Sequence, residues 1–199
     1  MMPPAILPVL QLVTLGVIFA LLTRRVEKHL AHSPNKFGAS DSAHDFVGRV
    51  YRVGGAILFI FLLVRMAWPE ADRMVGEISV LVQPAVGWGG LIIMAAGSIV
   101  IVAAQVRMGL AWRIGLDAEQ TGLVTTGLFA WSRNPTFLGM MAVILGAFLT
   151  APTAVTAALL ATAWIAFSVQ IRMEEEHLLR MHGADYGRYR STVPRWLIF

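Results

Sequence analysis

Apolar residues gather in a few long runs separated by polar segments, and a hydrocarbon core of about 30 Å takes roughly 20 residues of apolar helix to cross. The first run, residues 5–22, opens after Pro3–Pro4 and stops at Thr23-Arg24-Arg25. Its charges follow it and no basic segment precedes it, so it reads as a retained span rather than a cleaved signal peptide. The second, 53–68, is closed by Pro69, and its single charge, Arg65, lies a turn from the end, within reach of the headgroups. A third stretch, 74–106, is interrupted by Pro84 and by Gly87-Trp88-Gly89-Gly90. This predicts a short helix over 74–86 and a full span over 87–106. Residues 136–150 and 152–171 are predicted to pair as a tight helical hairpin. Ala154, Ala158, Thr162 and Ala166 recur every four residues, a small-residue stripe that admits a close neighbour.

Composition agrees with this pattern. Of the 199 residues, 57 % are hydrophobic and 14 % charged, where soluble domains carry about 45–50 % and about 25 %. One soluble core of this size cannot hide that much apolar surface. The expected fold is an all-α integral membrane protein with about five transmembrane helices and a cytoplasmic C-terminal helical tail. It is read as one membrane domain, 1–199, in which 1–106 supply N-terminal spans and 107–199 a helical hairpin and tail. The chain has no cysteine, which excludes disulfides, thiolate nucleophiles, iron–sulfur clusters and Cys-based zinc sites.

Charge then sets the orientation. Of sixteen basic residues, all but Arg65 and Arg73 fall in 23–52, 107–133 and the segment after 171, on one side of a five-span arrangement. The positive-inside rule places the amino terminus outside and the carboxyl terminus in the cytoplasm. The net charge of +4 therefore reads as topology, and nucleic acid is not expected as a partner.

Polar chemistry collects in the long cytoplasmic segments 107–133 and 172–199. One constellation is Val124-Thr-Thr-Gly127 followed by Phe129, Trp131 and Ser132-Arg133-Asn134-Pro135-Thr136-Phe137. Asn134–Pro135 is a helix-entry signal whose unpaired amides can bind a polar ligand. Phe129, Trp131 and Phe137 offer faces to a heteroaromatic ring. A capped span with an interfacial aromatic belt, anchored by Arg133, is the plainer reading.

A second constellation, Arg172-Met-Glu-Glu-Glu176-His177, continues the last span. Spacing of four puts Arg172 beside Glu176, with Glu175 adjacent. Three consecutive carboxylates repel one another, and a cationic ligand would relieve that repulsion. A solvated acidic face is the alternative. In the tail, Gly183 suits a helix end, and Asp185 suits the cap of a short helix carrying Tyr186 and Tyr189. Arg188, Arg190 and Arg195 suit contact with lipid phosphates. The five histidines lack zinc-site spacing, so no metal is expected, and there is no dinucleotide-binding glycine fingerprint.

Taken in order, Arg113-Ile-Gly, Thr125-Thr-Gly127, Arg133-Asn-Pro-Thr-Phe-Leu-Gly139 and Arg172-Met-Glu-Glu-Glu176 resemble the isoprenylcysteine carboxyl methyltransferase family and its phospholipid methyltransferase relatives. Gly183, Tyr186, Tyr189, Val193 and Pro194 extend the match. The resemblance implies a membrane-embedded enzyme that binds S-adenosyl-L-methionine between the hairpin and the tail. Family members use an Arg-His-Pro-x-Tyr segment and a Glu of a Glu-Glu motif for the cofactor, and the preceding Arg for the acceptor. Carried over, Asn134, Pro135, Thr136 and Phe137 line the cofactor, with Phe129 and the backbone of Thr121, Gly122, Leu123 and Val124 nearby. Glu176 or Glu175 holds its ammonium group, and Arg172 orients the acceptor. Asn134 stands where the family has His, and Phe137 where it has Tyr. The first keeps a capping, hydrogen-bonding group, while the second keeps a ring without its hydroxyl.

Such a site suits methyl transfer to a lipophilic acceptor in the membrane, because the sulfonium already makes the methyl electrophilic. Carboxyl O-methylation is favoured, with N-methylation open. An NADPH-dependent, sterol-reductase-like enzyme and a non-enzymatic lipid-binding membrane module are the two rival readings.

Overall fold

A computed structural model describes residues 1–29, 38, 40–109, 112 and 122–197. Seven helices organise them: α1 (Ile6–Glu27), α2 (Ala43–Ala67), α3 (Ala71–Met74), α4 (Pro84–Met108), α5 (Pro135–Thr150), α6 (Ala154–His182) and α7 (Ala184–Thr192). Among the described residues the only extended pairing is one isolated antiparallel bridge, Glu77 with Thr153. Helices α1, α2, α4 and α6 are long and apolar enough to cross a membrane, and α5, with 16 residues, is a shorter apolar helix. The protein is a multi-pass helical membrane protein.

The predicted helix over 74–86 does not form. The chain instead makes the short α3, then Gly76 at φ 78°, the Glu77 bridge and a 3₁₀ turn over Ser79–Leu81. Ile78 N donates to Pro152 O at 2.8 Å and Ala154 N to Gly76 O at 2.9 Å. These bonds tie the loop to the α5–α6 turn, so its amides are satisfied across the bundle rather than within a helix. Pro84 occupies the first turn of α4, where a missing N–H costs nothing.

Helices α4 and α5 approach more closely than any other pair. The cause is a reciprocal glycine contact: Gly90 faces Gly146, and Gly97 faces Gly139. A Cβ on Gly97 would lie 2.6 Å from Gly139 O, and one on Gly139 would lie 2.7 Å from Gly97 O. Only a hydrogen fits there, the packing by which lipid-embedded helices gain dispersion energy without a hydrophobic driving force. The small stripe on α6 has a different use, because Thr162 and Ala166 line a cavity.

Helix α1 lies along α4, with Gln105 Nε2 donating to Thr23 Oγ1 at 2.9 Å. Helix α6 is capped by Thr153, whose side chain accepts from Thr156 N. It runs past the apolar stretch, as expected, and stops at Gly183, φ 50°. Asp185 does not cap α7. It sits in the first turn and pairs with Arg188, while Gly183 occupies the cap position.

Candidate functional site

The site is assembled where the α5 entry, the polar end of α6 and the tail converge. Before α5, Gly127 takes φ 68° to start a 3₁₀ turn over Gly127–Ala130. Arg107 of α4 packs against Gly127 and hydrogen-bonds the Thr126 hydroxyl. The turn buries Phe129 and leaves Trp131 73 % exposed. Of the three aromatic faces considered for a ring ligand, Trp131 is therefore the open one. Phe137 instead packs on Phe167 of α6, ring centres 5.4 Å apart, and Phe167 packs on Tyr51 of α2 at 5.3 Å.

Successive residues on a helix point about 100° apart, so the three carboxylates of α6 have three different surroundings. Glu174 accepts from Gln170 Nε2 at 2.9 Å. Glu176 is exposed. Glu175 is 3 % exposed and lies between two arginines. Arg133 Nε and Nη2 donate to its Oε1 at 3.1 and 2.9 Å, and Arg195 Nε and Nη2 donate to Oε1 and Oε2 at 3.1 and 2.8 Å. Asn134 Nδ2 adds a longer bond at 3.4 Å. A carboxylate this buried holds its charge only with such partners.

The same groups fasten the tail. Arg133 Nη1 donates to Arg190 O at 2.9 Å and Val193 O at 2.7 Å, and Arg133 N to Pro194 O at 2.9 Å. Ser132 Oγ donates to Arg195 O at 3.2 Å and accepts from Asn134 N at 3.1 Å. Tyr189 hydroxyl donates to Phe129 O at 2.7 Å, and Trp196 stacks on Trp164 at 5.5 Å. A nine-residue helix such as α7 is too short to persist alone; these contacts hold it. Hydrogen bonds to Glu175 push the Arg195 guanidinium above its ordinary value, against the opposing effect of burial. Burial pushes the Tyr189 phenol up to about 12. Burial, with the Glu175 charge adding to it, pushes Tyr186 higher still. The Tyr186 hydroxyl is buried with no hydrogen-bond partner among the described residues.

Two expectations change. Asn134 does not cap α5, because its side-chain amide turns to Glu175 and to Arg195 O, and no side chain caps the first turn of Thr136 and Phe137. Arg172 does not pair with Glu176. It is exposed, and its Nη1 donates to Ser168 O at 2.6 Å. On the plainer reading of the sequence Arg133 is a membrane anchor, and Arg195 suits lipid phosphates; both instead neutralise Glu175. Their signal in the chain is an Arg directly before Asn134–Pro135 and another directly after Pro194. Gly122, Leu123 and Val124 lead into the 3₁₀ turn, whereas Thr121 and Arg113 lie outside the described residues.

Beside this site is a cavity of about 580 Å³, walled by Leu12 and Phe19 of α1, Leu58 of α2, Val143 of α5 and Leu159 of α6, among other apolar residues. Phe167 belongs to its lining, so the Phe137–Phe167 contact joins the first turn of α5 to the cavity wall. The α5 entry, with its buried Arg133–Glu175–Arg195 cluster, and the apolar cavity are linked by the Phe137–Phe167 contact.

The chain belongs to the phospholipid methyltransferase family, whose sequence profile matches residues 86–185. That span holds the glycine-paired helices and the Arg133–Glu175 pair. The chain is 33 % identical over 72 residues to the protein-S-isoprenylcysteine O-methyltransferase of Saccharomyces cerevisiae, covering 36 % of this chain and 30 % of the yeast protein. It is 30 % identical over 115 residues to that of Xenopus laevis, covering 55 % and 40 %. With the Homo sapiens protein it shares 27 % over 143 residues, covering 70 % and 47 %. It thus spans less than half the length of these curated relatives. In fold it is similar to the eukaryotic intramembrane Ras methyltransferase isoprenylcysteine carboxyl methyltransferase, with a TM-score of 0.65 at 21 % identity, covering 99 % of this chain and 68 % of that one.

Proposed function

We propose that the protein is an S-adenosyl-L-methionine-dependent methyltransferase that modifies a lipophilic acceptor, with carboxyl O-methylation favoured. The observation that carries this reading is the packing of Phe137, in the first turn of α5, on Phe167, which lines the apolar cavity. Methyl transfer needs such a junction, because a water-soluble donor and a membrane-borne acceptor must meet in line with water excluded. The isoprenylcysteine methyltransferases among the relatives support the same class of acceptor.

The residues on the donor side suit a zwitterionic nucleoside. The uncapped amides of Thr136 and Phe137 offer donors. Trp131 offers an open aromatic face, and Glu176 an exposed carboxylate for the ammonium group. Gly122, Leu123, Val124, Phe129, Asn134 and Pro135 shape the floor and rim. Once bound, the donor supplies an electrophilic methyl carbon; the chain's own residues orient, shield and align. Glu175 acts through Arg133 and Arg195, holding the tail over the α5 entry and so keeping water out. Arg172 aligns the reacting end of the acceptor at the cytoplasmic surface. In this reading the amino terminus is outside and the carboxyl terminus cytoplasmic, which sets the donor side in the compartment that supplies it.

The test is a titration of the purified protein with S-adenosylhomocysteine and with NADP⁺. Saturable binding of the first and none of the second is expected. Binding of NADP⁺ alone overturns the assignment.

A further inference from the structure

Trp164 and Glu175 are eleven residues apart on α6, three turns, so they share one face of the helix at an axial separation of about 16 Å. Consecutive residues of the tail bind both. Arg195 reaches Glu175, and Trp196 stacks on Trp164 with ring planes 19° apart. The backbone joining Arg195 to Trp196 therefore runs alongside the middle of that interval, near residues 169–170. This level belongs to the uncharged stretch of α6, which meets its first charge only at Arg172. Because α6 is long and apolar enough to cross a membrane, its exposed Trp164, Ile165 and Val169 face lipid, and Leu197, also exposed, follows Trp196 to the same depth.

Irregular backbone persists at membrane depth only where protein satisfies its polar groups. Three successive carbonyls of the tail meet that demand through the segment before α5. Val193 O accepts from Arg133 Nη1 at 2.7 Å and Pro194 O from Arg133 N at 2.9 Å. Arg195 O accepts from Ser132 Oγ and Asn134 Nδ2, both at 3.2 Å. Val193 N donates to Tyr189 O at 3.0 Å, and Pro194 has no N–H to satisfy. The Arg195 charge is neutralised by Glu175. A tail lying in water would find solvent for these groups. We propose that residues 193–197 are a re-entrant segment, dipping into the leaflet at the polar end of α6 so that Trp196 and Leu197 contact lipid acyl chains. The Ser132-Arg133-Asn134 run is then the hydrogen-bonding template for that segment, and the bilayer is its outer cover. This goes beyond the methyltransferase reading. Where that reading also holds, the element closing the donor side is held in place partly by lipid.

The chain has no cysteine, so one introduced thiol carries a nitroxide spin label at a single place. Leu197→Cys, Ile165→Cys and Arg188→Cys are labelled in the full chain in phosphatidylcholine nanodiscs, with no methyl donor present. Relaxation by oxygen, which concentrates in lipid, is compared with relaxation by a water-soluble nickel chelate. The label at 197 should resemble the one at 165, with oxygen the stronger relaxant. It should differ from the label at 188, an exposed position of α7. A label at 197 that responds chiefly to nickel overturns the proposal. So does one that neither reagent reaches, the result a protein partner covering this face would give. A second measurement uses unlabelled Leu197→Asp and Leu197→Phe, both checked for folding by thermal unfolding. Leu197→Asp should speed proteolysis within 184–197 by about tenfold or more relative to Leu197→Phe, because a charge is costly in hydrocarbon; equal rates overturn the proposal. A lipid-exposed label on a protein that binds no S-adenosylhomocysteine would remove the enzymatic reading and leave this inference standing. A water-exposed label on a protein that binds it would do the reverse.

Discussion

Glu175 and Arg195, twenty positions apart in the chain, are joined by two hydrogen bonds, Nε–Oε1 at 3.1 Å and Nη2–Oε2 at 2.8 Å. Through this pair the segment that follows α7 is locked to the polar, C-terminal part of α6, with Arg133 closing the other side. Removing one partner of a buried ion pair costs about 3–5 kcal/mol because the other charge is left buried. Arg195 is 27 % exposed, so Arg195→Ala should cost the tail's docking somewhat less, about 2–4 kcal/mol. Limited proteolysis should then cut within 184–197 in the variant and spare the wild type. Binding of S-adenosylhomocysteine should fall with it.

Glu175→Gln separates charge from shape. The amide keeps the volume but presents the buried Arg133 and the half-buried Arg195 guanidiniums with a neutral acceptor, so tail docking should weaken by about 2–4 kcal/mol. A charge-neutral partner swap such as Arg195→Met combined with Glu175→Gln should recover less than half of that, because Arg133 stays unneutralised. Hydrogen exchange of the α7 amides reads both.

The glycine pairs of α4 and α5 make a prediction about stability alone. Gly139→Ala drives a methyl group into Gly97 O at 2.7 Å, and neither backbone can retreat without parting the helices. A loss of about 2–3 kcal/mol is expected, the upper part of the overpacking range. Gly16→Ala, where a Cβ meets nothing, should be neutral or stabilising by up to about 1 kcal/mol. Thermal unfolding in one detergent compares the two.

Two charged residues outside the Arg133–Glu175–Arg195 cluster, Glu176 and Arg172, divide binding from turnover. Glu176→Ala should weaken S-adenosylhomocysteine binding by about tenfold, as expected for loss of one hydrogen bond between charged groups. Arg172→Ala should leave that affinity in place and lower turnover. If both variants bind and turn over like the wild type, the donor lies elsewhere.

Alkali should release the tail. The Tyr189 phenol titrates at about 12 in the folded protein against 10.0 ordinarily, so the folded state holds the proton more tightly. The stabilisation is complete below about pH 10, declines as pH rises, and is gone above about 12. Its size is about 3 kcal/mol, from about 1.4 kcal/mol per unit. The difference in tyrosinate absorbance between wild type and Tyr189→Phe follows it.

The spans were legible because lipid imposes a simple demand on sequence, a long apolar run bounded by charge, and the runs at 5–22, 53–68, 136–150 and 152–171 fall in helices to within two residues at their ends. The stretch 74–86 misled because an apolar loop between two helices looks like a helix until its bridge partner, Thr153, is known. The motif residues Arg133, Asn134 and Glu175 were visible as a set, yet their mutual roles were not. Which carboxylate of Glu174-Glu175-Glu176 is buried depends on the rotation of α6, and the run itself holds no such information. Arg195 was hidden for a related reason, since its partner is a buried charge twenty residues away. The Gly90/Gly97 and Gly139/Gly146 pairs carry a readable signal, two glycines seven apart on each of two helices, which a search for four-residue spacing passes over.

The central claim is methyl transfer to a lipophilic carboxylate at a site closed by the tail. It is tested most directly by incubating the full chain in nanodiscs with methyl-tritiated S-adenosyl-L-methionine and a membrane lipid extract. Tritium is then counted in the organic phase before and after mild base, which hydrolyses methyl esters. Base-labile label that disappears in Arg195→Ala is the predicted result. No organic-phase label from a protein that remains folded would contradict the account.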